Sequence, residues 1–295
     1  MRNIKHLLAF AAGLSMLCAC SSNDPDPDPT PDPGTGDVTV DAPLDSKPSS
    51  TSFDRKVLLV DFTGNGCIYC PNMTKALRSV LAKSAYSKKA VLAVAHTYNN
   101  DDPAYFNTNL QTVMGVKKYP SLTANLNSSN VLVSDDASDL NLQNFIDNAA
   151  AGEVVAGIAA NSKIVDKKLY VRVNVKAASP DPKEFRVAVW VLEDGINAKQ
   201  ANAPDDTYNV HDNCVRTIIG KTSETNFFGV KTDPDRIASG EIGDVTFVIE
   251  LKDDWLTPNL KYLVAVSAPD SNDRYYVCNA GVAKAGESIA YSYAK

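Results

Sequence analysis

Histidine is scarce in this chain, with three in 295 residues, and tryptophan scarcer, with two. So few histidines leave no ligand set for a metal centre. Trp190 and Trp255 stand far apart and read as core or strand-edge residues rather than a stacking platform. Cysteine comes to six, and only Cys67 and Cys70 have CxxC spacing. A zinc site needs two further ligands, and no second CxxC or nearby histidine pair supplies them. No metal and no cofactor are expected. Past residue 20 no apolar run is long enough to cross a bilayer. Lysine and arginine total 29 against 35 acids, for a net charge of −6, and they do not cluster. That balance argues against a nucleic-acid partner.

What the chain does have is the stretch Asp61-Phe62-Thr63-Gly64-Asn65-Gly66-Cys67-Ile68-Tyr69-Cys70-Pro71. The apolar residues Val57, Leu58, Leu59 and Val60 lead into it as a buried strand. Met73, Ala76, Leu77, Val80 and Leu81 follow at helical spacing. A cysteine near a helix N-terminus meets free N–H groups and the positive end of the helix dipole, which favour a thiolate. Cys67 is therefore the candidate nucleophile and Cys70 the resolving cysteine. Tyr69, between them, is a candidate contact for a partner.

Strand, glycine turn, CxxC and helix resemble a thioredoxin-type redox site. The resemblance implies two further roles. Asp61, six residues before Cys67, would be the buried acid that moves a proton. Pro120, in Tyr119-Pro120-Ser121, would be the cis proline facing the cysteines, with the Tyr119 backbone holding an extended substrate. A second apolar run, 90–96, ends at His96, which reads as structural. The segment from Asp101-Asp102-Pro103 can start a short helix carrying Tyr105, Phe106, Leu110 and Val113. A hairpin at 122–133 and a helix bearing Leu142, Phe145 and Ile146 complete a β-α-β-α-β-β-α order over residues 51–152. The expectation is an α/β thioredoxin-like domain.

Residues 153–295 change to period two. Leu169, Val171, Val173 and Val175 alternate with polar residues, as do runs at 185–191 and 245–251. About seven strands and little helical pattern predict an all-β immunoglobulin-like sandwich as a second domain. Cys214 and Cys278 fall in two of these strands. A structural disulfide between them is the expectation, with two buried thiols as the alternative. The long polar segment 197–213 is a candidate loop for a protein or glycan ligand.

The first 20 residues read as a targeting segment, with Arg2 and Lys5 before a short apolar core. Leu17-Cys18-Ala19-Cys20 resembles the bacterial lipobox, which implies cleavage before Cys20 and its lipidation. Several acyl chains would then hold the protein to a membrane. The proline- and aspartate-rich run 21–50 has almost nothing to bury and reads as an unfolded tether.

His211-Asp212-Asn213-Cys214-Val215-Arg216, with the segments 191–196 and 277–280, resembles a signature of a Bacteroidetes lipoprotein family named for a 28-kilodalton outer-membrane protein. The resemblance implies a lipid-anchored place in the cell envelope, at the outer membrane and facing periplasm or surface. Two functions follow. One is a thiol–disulfide oxidoreductase acting on protein thiols or disulfides. The other is a non-catalytic binding module that keeps an inert Cys67–Cys70 disulfide.

Overall fold

A computed structural model describes residues 38–295. The targeting segment, Cys20 and the proline–aspartate run up to residue 37 lie outside the described residues.

The apolar run at 57–60 opens strand β1 (Val57–Thr63), buried along its whole length. Helix α1 (Cys70–Leu81) buries Met73, Ala76, Leu77 and Val80 as one face. A single-turn helix, α2 (Ser84–Ser87), precedes β2 (Ala90–His96), which runs parallel to β1 with Thr63 beside His96. After β2 comes only a four-residue helix, α3 (Leu110–Val113). Strand β3 (Ser121–Ala124) lies antiparallel to β1 and pairs with β4 (Val131–Val133). Helix α4 (Asp139–Ala150) begins after Ser138, whose hydroxyl accepts from the Asn141 amide and so satisfies one of the free N–H groups of the first turn.

The second half is built of β5 (Ala156–Val165), β6 (Lys168–Ala177), β7 (Lys183–Glu193), β8 (Ile196–Asn197), β9 (Val210–His211), β10 (Cys214–Ile219), β11 (Val230–Ile237), β12 (Ile242–Glu250), β13 (Leu260–Pro269) and β14 (Tyr275–Lys284). The period-two runs lie on β6, β7 and β12.

The joining of the halves overturns the expected fold class. Cys214 of β10 pairs in parallel with Val94 of β2, and β10 pairs with β7. One mixed sheet of twelve strands therefore runs β4-β3-β1-β2-β10-β7-β11-β12-β6-β5, with β13 on β7 and β14 on β13. Strand makes up 41% and helix 16% of the described residues. This is not an α/β thioredoxin-like domain followed by an immunoglobulin-like sandwich.

The reason lies in how β1 and β2 are covered. The expected fold needs a helix on each face of their sheet. Val57 and Leu59 do pack against α1 and α4. On the other face the segment 101–116, interrupted by Pro103 and Gly115, supplies only α3. Leu58, Val60 and Phe62 pack instead with Trp190 and Leu192 of β7 and Leu263 of β13. Strand β7 is thereby buried on both sides. Its residues Phe185, Val187, Val189 and Val191 face a second core built with β6 and β12. Neither half covers its own apolar surface, so the two share a core.

Part of the expected tether is also fastened down. The Lys176 ammonium, only 1% exposed, lies 2.8 Å from an Asp45 carboxylate oxygen and donates to the carbonyl oxygens of Pro48 and Lys47 at 2.6 and 3.4 Å. A buried ammonium needs such partners, and here they come from the coil at 45–48.

Candidate functional site

Strand β1 delivers the chain to Gly64, where a Cβ would lie 2.6 Å from Cβ of Tyr98. Close approach of the segment after β2 thus explains a glycine at this turn. The Gly66 amide donates to Asn99 Oδ1 at 3.2 Å, and the Asn65 amide to Asp102 Oδ2 at 2.7 Å. Cys67 and Cys70 form a disulfide with Cα atoms 5.4 Å apart. Cys70 is the first residue of α1 and Pro71 sits in its first turn, where a missing N–H costs least. Cys67 lies just ahead of the helix.

Both cysteines are buried, Cys67 at 2% exposure and Cys70 at 1%, whereas Ile68 and Tyr69 between them are 52% and 60% exposed. Tyr98, also exposed, stands beside Gly64 and meets the Tyr119 ring edge-on at 5.3 Å.

The segment 197–213 is bonded to the CxxC turn. Gln200 Nε2 donates to the Cys67 carbonyl oxygen at 2.9 Å, the Ala201 amide to Asn65 O at 2.7 Å, and Asn202 Nδ2 to Ile68 O at 3.1 Å. Arg78 of α1 donates to the Thr207 carbonyl oxygen at 3.0 Å, and its guanidinium lies 4.6 Å from the Tyr208 ring centre. Read in the sequence as a ligand loop, this segment is a strap across the CxxC turn. Nothing in its composition named that target.

Asp61 is 2% exposed, and its Oδ1 has no hydrogen-bond partner among the described residues. Burial raises its carboxyl pKa to about 7 because a charge there would be poorly solvated. His96, at the end of β2, lies with Nδ1 2.7 Å from Asp102 Oδ2, both side chains essentially fully buried. Burial works to raise the Asp102 pKa, yet the His96 contact and the amides of Asn65 and Ala104 hold it below the usual carboxylate value. His211 of β9 meets the His96 ring edge-on at 4.9 Å, and its Nε2 lies 3.0 Å from the Ala198 carbonyl oxygen. Burial, then the proximity of His96, lowers the His211 pKa. The meeting of Asp102, His96 and His211 was not legible in the sequence, where each stood alone. The described residues contain no group of three or more side chains placed to hold a metal ion.

Pro120 is buried just ahead of β3, whose Ser121 pairs with Phe62 at the end of β1 that leads into the CxxC turn. The Tyr119–Pro120 bond is cis. The Tyr119 hydroxyl lies 2.9 Å from Thr97 Oγ1 and donates to the Thr97 carbonyl oxygen at 3.2 Å. The disulfide expected between Cys214 and Cys278 is not formed, and both thiols are free and buried. They belong to different clusters: Cys214 packs with Ala104 and Ile196, Cys278 with the core around β6 and β12. Cys278 instead donates to the Val266 carbonyl oxygen at 3.3 Å. Arg216 ties β10 to Glu193 at 2.6 Å and donates to the Pro103 carbonyl oxygen, a structural clamp.

Fold and site together define a predominantly β protein that carries a strapped CxxC disulfide at the start of a helix. No family model matches the chain, and no curated protein does. Among solved structures, HBP35 of Porphyromonas gingivalis is similar, with 18% identity and a TM-score of 0.59 over 79% of this chain and 76% of that one. At that identity the likeness is one of fold. A second match, a β-glucosidase from Kluyveromyces marxianus, has a TM-score of 0.21 at 16% identity over 48% of this chain and 16% of that one, and carries no argument. No helix among the described residues is long and apolar enough to cross a membrane.

Proposed function

We propose that this chain is a thiol–disulfide exchange protein of the bacterial cell envelope, held to the outer membrane by lipid on Cys20. The observation that carries the reading is the Cys67–Cys70 disulfide at the head of α1, with exposed Ile68 and Tyr69 between its cysteines. Large apolar side chains held in solvent beside a disulfide give a partner polypeptide something to bury.

A dithiol partner supplies the thiolate, which attacks Cys67. The Cys67–Cys70 bond breaks, a mixed disulfide forms on Cys67, and Cys70 leaves as thiolate. The partner's second thiolate then closes its own disulfide and releases Cys67. The partner loses two electrons and the pair gains them. The two thiol protons end on Cys67 and Cys70, with Asp61 as the acid that relays one. The reverse direction uses the same groups. Pro120 and the Tyr119 backbone flank the partner's extended segment.

The burial of both sulfurs favours a second reading, in which the disulfide is an inert brace and the chain a binding module. Changing Cys70 to Ala and looking for a partner trapped on Cys67 in intact cells separates the two. A disulfide-linked species that disappears on reduction supports exchange. If none forms, and Cys67 alkylates against pH like an ordinary free thiol, the inert brace is the better description.

A further inference from the structure

A cleft of about 760 Å³ shares no lining residue with the CxxC turn or the segment 197–213. That volume falls within the roughly 300–1,000 Å³ of pockets that bury small ligands. Arg55 ahead of β1, the turn between β3 and β4, the end of α4 and the β13–β14 hairpin meet around it. One wall is fixed before any ligand arrives. Asn125 and Leu126 lie in left-handed backbone, at φ 55° and 54°, which leucine seldom adopts. The Asn125 side chain accepts from the Leu58 amide at 3.1 Å and donates to the Ala149 carbonyl oxygen at 3.0 Å. Its own carbonyl oxygen accepts from the Val277 amide at 3.2 Å. Strained backbone persists where its surroundings over-determine it, and such places concentrate at binding sites.

Charge and chemistry narrow the occupant. Two arginines, Arg55 and Arg274, and two acids, Glu153 and Asp270, line the cleft, so the formal charges cancel. Arg274 lies 3.0 Å from Asp270 and is committed to it. The balance gives neither an anion nor a cation an advantage. Arg55 gathers its neighbours at one point. Its Nη1 donates to the Ala151 carbonyl oxygen at 3.0 Å, a Cβ on Gly152 would stand 3.8 Å from that nitrogen, and the guanidinium carbon lies 5.9 Å from the Tyr276 ring centre. Glu153 and Asn148, both exposed, flank this point in sequence. The Phe228 and Tyr275 rings add a second aromatic surface, 6.2 Å apart and tilted by 36°.

Amide, guanidinium and carboxylate groups donate and accept hydrogen bonds in pairs, and flat rings offer a face to C–H surface. A sugar ring matches both, with hydroxyls round its edge and C–H bonds on its face. A fatty chain would desolvate the amides without pairing them. An extended peptide needs a free strand edge, and the Asn125 backbone is already bonded to Leu58 and Val277. We infer that this cleft binds an uncharged oligosaccharide, with Tyr276 as the ring platform and Arg55, Glu153 and Asn148 as partners for its hydroxyls.

Titration calorimetry on the full chain, disulfide intact, tests this with maltotriose, cellotriose, laminaritriose and triacetylchitotriose as neutral probes. Trigalacturonate and N-acetyl-tetraalanine amide serve as acidic and peptide controls. The readout requires no thiol exchange, so it stands or falls separately from the proposed function. At least one neutral sugar should bind with a Kd below about 1 mM, and both controls should bind it about tenfold more weakly or not at all. Tyr276→Leu keeps apolar bulk beside the core and should weaken that sugar by roughly two- to tenfold. Asn148→Ala, at an exposed helical position, should do so by a similar factor. Melting temperatures show that both variants are folded. Binding of none of the neutral sugars, tighter binding of either control, or two folded variants that bind as well as the native chain would each overturn the assignment.

Discussion

Gln200 Nε2 donates to the carbonyl oxygen of Cys67 at 2.9 Å, a buried bond across 133 residues of chain. The turn that carries the disulfide is therefore held from outside, by a strap rooted between β8 and β9. Asn202 is bonded to Ile68 O in the same way, so lifting the strap frees two carbonyl oxygens of the turn that carries the sulfurs. Gln200→Ala should speed reduction of the Cys67–Cys70 disulfide by dithiothreitol by roughly two- to tenfold, the equilibrium weight of one net hydrogen bond. Stopped alkylation followed by mass spectrometry gives the rate, and an unchanged rate would show that the strap does not limit access.

Asp61 makes stability fall as pH rises. Its carboxyl is raised by burial to about 7, against an ordinary value of 3.8. Between those values the unfolded chain has lost this proton and the folded chain keeps it, so the unfolded state gains relative stability as pH climbs through the window. Above it the full cost is present. Asp61→Asn should exceed the native chain in stability at about pH 8 by an amount on the order of 4 kcal/mol, and the gap should close towards about pH 4. Urea midpoints at several pH values measure it. A variant that is less stable at every pH would contradict the assignment of a strained buried acid.

Glu184 works in the opposite direction. Burial alone would raise its pKa, but Lys231 at 2.7 Å, the Tyr275 hydroxyl and Arg186 at 2.9 Å together lower it from 4.5 to about 2. The stability it contributes is complete above its unfolded value and is lost as pH falls from 4.5 towards 2. Glu184→Gln should lower the urea midpoint at neutral pH, and the two proteins should converge as the pH approaches 2. A constant difference across that window would mean the group acts by packing rather than by charge.

Cys214 and Cys278 should be silent thiols. Burial pushes Cys278 up to about 12 and raises Cys214 well above its ordinary value, so little thiolate forms and none is presented to solvent. Iodoacetamide should leave both unmodified in the native protein and label both in denaturant without reductant. Peptide mapping decides, and a peptide pair bridged through 214 and 278 would refute two free thiols.

Much of the local structure was legible. The helical spacing of Met73, Ala76, Leu77 and Val80 describes the buried face of α1, and the alternation at 169–175 and 185–191 describes β6 and β7. Periodicity also placed Cys67 and Cys70 between a strand and a helix. It failed at 101–116, where Tyr105, Phe106, Leu110 and Val113 suggested a helix and the chain makes only α3. That miss matters most, because the face of β1 and β2 left bare there is the one that Trp190 and Leu263 cover.

Taken alone, the sequence determined which residues turn inward, where strands and helices begin, and that two cysteines stand at the head of a helix. All of these are set by side-chain size, polarity and spacing within a few residues. Tertiary structure decided the rest: that β10 docks beside β2 and merges two expected domains into one sheet, that Gln200 and Asn202 bond to the turn that carries the disulfide, and that Asp61, His96 and His211 share one cavity. Those outcomes depend on backbone groups and apolar faces finding partners a hundred residues away. Periodicity records that a face must be buried and says nothing about what will bury it.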